Sequence, residues 1–530
     1  MLSFDALPDD ILVEILLLLD AFTVLRLSLV QRHLRRLALS KTVWLSITRD
    51  LVYRGFLPRS ALNLAHAPTH LIDLVKTLVC GPASWRTDPS PSLFSKRKLL
   101  EFTRPRECEH LLQPTRRVFI QPQVEAPRAI LSSFVAGGGE YIFFWSLHSV
   151  SCWNLPEQRQ VWSYRSSDPT AQIDGFAAEV AQGQKSALVV IIKSNSAHAG
   201  VLRVDLLKGT MALVAKVPLP ESNPNMTMSV LIRAPIVCFI ARQWANYVLF
   251  DLRTLQFCSI IGPFASPSAS NTIQLLPDHI IYIRPPENAT KLTTARKNAQ
   301  LGIIPLSALA PYWVPTPHWN DPSSSTTTAA TVPFDVLLPS TTFKTQIDIA
   351  PRRRLGYFTT ALSFCTMASP LQDGVWRVWV TVRRRRLPNG IPPAPREKYI
   401  VHCVHLALGG GVSGAALGAQ GLGFTRRAKP HLLAPGAYPS ARDMTYAGQR
   451  ILFVPDRRTA WRVEYGVQNR GEVPVVKMPA RDGEGDEEGD GEGDVEGGGG
   501  AKWTLPMSLS PYGGEMVSST ESGVVVDYFS

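Results

Sequence analysis

Few residues in this chain have the types and spacing that chemistry needs. Gly409-Gly410-Gly411-Val412-Ser413-Gly414 has the GxGxxG spacing of a dinucleotide-binding turn and follows a strand-like run, YIVHCVHLAL. Such a turn works only when a helix follows, with its N-terminus facing the pyrophosphate, and when an acidic residue about 20 positions on reaches the ribose. Here AALGAQGLGFTRRAKPHLLAPG follows and the next acid is Asp443, so a loop is expected. GGGGAKW (497–503) has Ala501 where a P-loop needs its last glycine and Trp503 where Ser or Thr would hold magnesium. His402-Cys403-Val404-His405 gathers ligand types, but on a strand positions 402 and 405 point to opposite faces and cannot chelate one ion. No HExxH, CxxC or GxSxG is present. The expectation is no enzyme, no cofactor and no metal.

Two arginine clusters remain, 352–354 and Arg383-Arg384-Arg385-Arg386. The second ends the strand-like VWRVWVTV, where a rim loop is expected. Trp376 and Trp379 fall on opposite faces of that strand and make no stacking platform with it. Functionally, Arg383 to Arg386 read as a patch for phosphate, nucleic acid or an acidic protein segment, nucleic acid being the least favoured of these. The reading favoured over it is a solvated loop, or a partner for the acidic tract of the chain itself.

Composition frames these candidates. The chain has 530 residues, 45% hydrophobic and 18% charged, which is globular and long enough for more than one domain. The net charge of +12 understates the basic character. Residues 482–500 (DGEGDEEGDGEGDVEGGGG) hold nine of the 43 acids, leaving 34 against 55 Lys and Arg. Acidic partners are therefore favoured. Seven scattered cysteines and the acidic opening MLSFDALPDD lack the basic flank of a secretion signal, so reduced thiols in the cytoplasm or nucleus are expected.

The opening LPDDILVEILLLLDAFTVLRLSLV needs elements to carry it. Glu14, Asp20 and Arg26 interrupt the apolar run, and their insertion cost nearly cancels the gain of a membrane span. Leu7, Ile11, Ile15, Leu16 and Leu19 recur at helical spacing. Pro8 suits a first turn, Asp9 and Asp10 meet the positive end of the dipole, and Asp20 is placed to cap a second helix through Thr23 or Val24. A third amphipathic stretch with Leu34, Leu37 and Leu39 leads to Trp44. About forty residues cannot bury so much leucine in a core of their own, so part of it must meet something else.

Leu7-Pro8, Ile11, Ile15-Leu16, Leu19-Asp20, Leu25, Leu27-Ser28-Leu29-Val30 and Trp44-Leu45 resemble an F-box. That resemblance implies a small helical module (1–50) that docks on the Skp adaptor of a cullin ubiquitin ligase. Leu7, Pro8, Ile11, Ile15, Leu16, Leu19, Leu27 and Val30 are then candidates for adaptor contact, some of them serving the packing of the module itself. Residues 51–116 read as a helical linker, with Leu71, Leu74, Val75 and Leu78 on one face before Gly81-Pro82, Trp85 near its end and a turn-rich break at 88–92.

From about Arg117 short apolar runs alternate with turn residues. Trp153-Asn154-Leu155, Val204-Asp205-Leu206 and Phe250-Asp251-Leu252 close such runs alike, about fifty residues apart. Weaker echoes stand at Ile304-Pro305-Leu306, His405-Leu406, Val463-Glu464-Tyr465 and Val526-Asp527-Tyr528. One four-stranded sheet per period is β-propeller grammar. The last strand, VVVDYFS, is expected to pair near Val118-Phe119-Ile120. The fold class is thus α + β multidomain: an all-α F-box and helical linker, then an all-β propeller over 117–530 with seven blades favoured. A large β-sandwich or two smaller β domains are the alternatives. Residues 482–500 read as a disordered acidic loop, and 322–333 and 387–398 as flexible insertions. The function implied is substrate recruitment within a Skp–cullin–F-box ligase, with an unknown protein target and no membrane. The rivals are a scaffold whose helices are only a cap, and a polyanion-binding protein.

Overall fold

The computed structural model describes residues 7–63, 65–82, 115–121, 130–168, 170–194, 196–219, 228–241, 246–262, 272–284, 298–315, 331–348, 357–386, 397–408, 431–433, 449–456, 459–465, 476–477, 508–509, 512, 515–520 and 523–528. Trp85, 88–92, 352–354, 409–414, the tract 482–500 and GGGGAKW lie outside these, as do 322–330 and 387–396 of the two insertions.

Five helices open the chain: α1 (Asp9–Leu17), α2 (Ala21–Leu27), α3 (Arg32–Ala38), α4 (Lys41–Tyr53) and α5 (Pro68–Cys80), with a 3-10 turn, Arg59–Leu62, before the last. Pro8 stands one place earlier than expected, as the N-cap of α1. Asp20 caps α2, its Oδ1 accepting the Thr23 N–H at 2.7 Å. Helix α4 crosses the expected module boundary at residue 50. Leu71, Val75 and Leu78 of α5 are buried with Leu74 partly covered, and the helix ends at Gly81, whose φ of +75° suits glycine. One core, with Trp44 at its centre among Leu12, Leu16, Val24, Leu51 and Leu71, joins the helices.

The rest is a set of small antiparallel sheets, seven among the described residues. Sheet 1 spans 130–165, sheet 2 173–218 and sheet 3 228–261, the last extended by Val314–Pro315 and Thr331–Pro333. Sheet 4 lies within 273–348, sheet 5 within 357–433 and sheet 6 within 449–477. Sheet 7 combines 508–528 with Arg116–Ile120. No such sheet covers both its faces alone, and each core here is shared by two neighbours. Tyr141 and Phe143 of sheet 1 pack with Val189 and Ile191 of sheet 2. Further shared cores join sheets 2 and 3, 3 and 4, 4 and 5, and 7 and 1. The strand IVCFIA (Ile236–Ala241) is buried at every position: Val237 and Phe239 face sheet 2, while Ile236, Cys238 and Ile240 face sheet 4. Two buried faces explain its unbroken apolar run. This radial stacking is propeller architecture.

The recurrent Asx-Leu step has a structural cause. Asn154, Asp205 and Asp251 each end a third strand and accept backbone N–H groups of the turn ahead, at 2.8–2.9 Å. The next residue donates back to the carbonyl that precedes the second strand: Leu155 to Glu140, Leu206 to Lys185 and Leu252 to Pro235. Leu306 repeats this with Asp278, and Leu408 with Gly374. The expected echo at His405-Leu406 is therefore displaced by two residues. Asp527 also differs, lying within the last strand and taking the Arg117 guanidinium at 2.6 Å. That strand pairs antiparallel with Arg116–Ile120, Val526 opposite Val118, so the first and last strands of the body share one sheet.

Parts of the two expected insertions and the arginine run are strand instead of loop. Thr331–Pro333 runs parallel to Ser259–Ile261, with Val332 buried, because it covers an otherwise bare sheet edge. Arg383 to Arg386 do not form a loop. They continue the strand Val375–Arg386, Arg383 to Arg385 paired on both sides and Arg386 with Tyr357, with Arg384 opposite Thr359 and Lys398. Glu397 and Lys398, expected in an insertion, open the next strand.

The helices sit against one rim of this body. Gln184, fully buried, donates from Nε2 to the carbonyls of Val52 and Leu57, both at 2.8 Å. The buried Glu140 carboxylate accepts the Arg59 N–H at 2.8 Å, and the Arg59 guanidinium donates to the carbonyls of Gly183 and Gln184. Gly138 (φ +62°) lies so close to Leu57 that a Cβ would stand 2.5 Å from its backbone. Across the rim, Arg54 donates to the Ser369 carbonyl at 2.8 Å, Phe22 N–H to Leu371, and Phe56 packs edge-on to Tyr512. All these contacts fall at turns joining the first and second strands of sheets 1, 2, 5 and 7.

Candidate functional site

The helical module leaves part of its apolar surface uncovered. Ile11 is 45% exposed, Leu18 87%, Leu29 81% and Val30 70%, and Pro8 is exposed beside them in sequence. The module folds this way because α1 and α2 are short and apolar on more sides than one core can cover. Leu12 and Leu16 face inward, while Ile11 lies about 100° round the helix from Leu12 and Leu18 follows the helix end on the far side from Leu16. Asp9 fastens the start of α1 to α3, reaching His33 Nε2 at 2.9 Å and the Arg36 guanidinium at 3.0 Å. This contact draws Pro8 towards the N-terminus of α3, which Leu29 and Val30 precede.

Of the candidate contact residues, Pro8, Ile11 and Val30 are exposed. Leu7, Ile15, Leu19 and Leu27 are half-buried, with Leu7, Leu19 and Leu27 packed on the helical core. Leu16 is a correction: at 2% exposure it belongs to that core. Leu18 and Leu29, the most exposed of the large apolar residues, were not among the candidates. Their signal was weak, since both lie just past a helix end, off the stripe that periodicity selects.

Beside Leu18 a cleft of about 270 Å³ opens between the module and the 369–374 turn, lined also by Asp20, Asp50, Arg54, Pro370 and Asp373. Arg54 lies 3.3 Å from Asp50 and 3.6 Å from Asp373, and so ties α4 to sheet 5. On that sheet, Arg383 to Arg386 stand at the end of the second strand remote from the 369–374 turn, towards the opposite rim. Trp376 and Trp379 join different clusters, as opposite faces require. His402 and His405 do lie on a strand, Glu397–Ala407.

No cluster of metal-ligating side chains occurs among the described residues, and none of their helices is long and apolar enough to cross a membrane. Cys80, Cys152, Cys238, Cys258 and Cys365 are free thiols. Burial pushes Cys238 and Cys258 up to about 12 and raises Cys152 as well. Such thiols are poor nucleophiles.

A helical module with uncovered apolar side chains is thus carried on a body of stacked sheets. Residues 4–50 match the F-box-like family, so the N-terminal helices are an F-box-like domain, and the chain combines it with a propeller-type β body. F-box domains bind Skp adaptors, which sets this chain in the context of Skp–cullin–F-box ubiquitin ligases. Among curated proteins no relative matches. Among solved structures, the WD40 domain of SCAP from fission yeast is similar at 12% identity and TM-score 0.37, covering 76% of this chain and 85% of that one. Drosophila Semaphorin 1a extracellular domains 1–2 are similar at 9% identity and TM-score 0.40, covering 78% and 88%. The propeller character of the body lies in its own sheets and the cores they share.

Proposed function

We propose that the chain is a substrate-recognition subunit of a Skp–cullin–F-box ubiquitin ligase, working in the cytoplasm or nucleus. Its module takes the Skp adaptor, through it a cullin, and its propeller takes a target protein. It performs no covalent chemistry itself, and acts by holding a target near the charged ubiquitin-conjugating enzyme, which raises effective concentration. The observation that carries this reading is the exposure of Ile11, Leu18, Leu29 and Val30 on a domain that matches the F-box-like family. Seating of the module on one rim supports target capture at the other, where Arg383 to Arg386 end their strand and would favour an acidic segment.

Co-expression with Skp tests it. The wild-type chain is expected to retain Skp in stoichiometric amount, and the Ile11→Asp/Val30→Asp variant to lose it while keeping the wild-type melt of the β body. A wild-type chain that stays soluble and ignores Skp would make the helices a cap. Should polyanion binding be the main activity instead, retention on heparin would be salt-sensitive and would disappear on neutralising 383–386.

A further inference from the structure

We propose that the outer strand of sheet 2, Met211–Pro218, is a docking edge for an extended peptide that combines apolar and acidic residues and joins the sheet as a fifth strand. This goes beyond the adaptor reading and does not depend on it. The strand pairs with His198–Asp205 on one side, and no described strand pairs with it on the other. A bare edge offers a row of unpaired N–H and C=O groups to any extended chain. In the neighbouring sheet 3 the chain covers such an edge itself, laying Val314–Pro315 and Thr331–Pro333 along Gln256–Ile261.

Soluble proteins blunt a bare edge with charge or proline. Lys216 and Pro218 supply both at the far end of this strand, but the run Met211-Ala212-Leu213-Val214-Ala215 before them has neither, and Met211 and Leu213 are 52% and 55% exposed. Val214 forms a bulge between the pairs Leu202–Leu213 and Val201–Ala215, which bends the edge without covering it. Charge then selects the occupant. Arg203, opposite Ala212 in register, and Lys208 and Lys216 are all exposed. The nearby Asp205 carboxylate is occupied in the turn, accepting the N–H groups of Leu207 and Lys208 at 2.9 Å. A second copy of this chain would oppose cation to cation. The tract 482–500 has the charge, but only Val495 to lay over Met211 and Leu213. A partner segment with both properties fits.

Phage display of random dodecapeptides on the full-length protein tests the proposal. Enriched peptides are expected to mix apolar residues with Asp or Glu and to protect amides of 211–216 from hydrogen exchange. They should lose affinity about ten-fold or more, roughly 1.4 kcal/mol, with Leu213→Glu and with Lys208→Glu/Lys216→Glu. Should Leu213→Glu lower the melting temperature, the lysine variant decides. The proposal falls if no such peptides are enriched or if their binding ignores the lysine variant. It falls too if light scattering finds an edge-dependent dimer, or if deleting 482–500 removes protection at 211–216. Skp capture by the same variants is expected to stay as wild type, which separates this test from that of the adaptor reading.

Discussion

Leu16 and Leu18 stand two residues apart in one leucine run and meet opposite environments, the first sealed in the helical core and the second in water. Leu16→Ala is expected to cost about 2–5 kcal/mol through lost burial and the cavity left behind. Leu18→Ala should cost under about 0.5 kcal/mol. Urea unfolding of the two variants checks both. At the thiols, native Cys238 and Cys258 should resist alkylation under conditions that modify the unfolded chain. Burial holds both above the ordinary thiol value of 9.0, near 12. The folded state therefore keeps its protons longer than the unfolded one, and this contribution is complete at neutral pH. As pH climbs from about 9 towards 12 it is lost, and melting temperatures along that ramp should fall. Cys238→Ala should make the fall shallower.

At the scale of elements, two kinds of joint can be told apart. Asp20 is a local one: Asp20→Ala removes the acceptor of the Thr23 N–H and should destabilise the module by about 1 kcal/mol, read as a lower melting temperature. Gln184 is a long-range one, presenting its amide to carbonyls of α4 and the loop after it. Gln184→Ala removes the buried donor of both carbonyls; Val52 still accepts the Gly55 N–H at 3.1 Å, whereas Leu57 loses the Gln184 bond, at a cost of about 1–3 kcal/mol. Hydrogen exchange should rise across 52–59 while the strands of sheet 2 stay protected. Equal loosening of both would mean that the joint and the sheet are one cooperative unit.

At the scale of the molecule, closure and seating matter most. The sheet that unites Arg116–Ile120 with Gly523–Tyr528 ties residues some four hundred positions apart, and Val526 in it is wholly buried. Val526→Asp places an unpaired charge in the core shared by sheets 7 and 1, a loss of several kcal/mol. Thermal unfolding should become broad and begin far below the wild-type transition. Seating through Arg54, Arg59 and Gln184 holds the module against the first-to-second strand turns of four sheets. An adaptor bound at Ile11 and Val30 would then have a fixed bearing on the opposite rim, as a ligase subunit requires.

Much of this was legible locally. Helical spacing, the Asp20 cap and the repeated Asx-Leu turn follow from residue types and short-range geometry, which act over a few positions whatever the rest of the chain does; the partner of the last strand follows from the repeat, which needs its two ends to meet. The contacts of Arg59 and Gln184, the inward turn of Leu16 beside the outward Leu18, and the covering of one sheet edge while another has no partner among the described residues leave no local trace. The first two depend on a surface more than a hundred residues away in the chain, and the others on segments that come to lie beside them only when the helices and sheets assemble. Arg383 to Arg386 make the same point: by composition they read as a solvated loop, and pairing with strands on both sides made them sheet. Periodicity says that a face is apolar; only packing decides whether that face is covered.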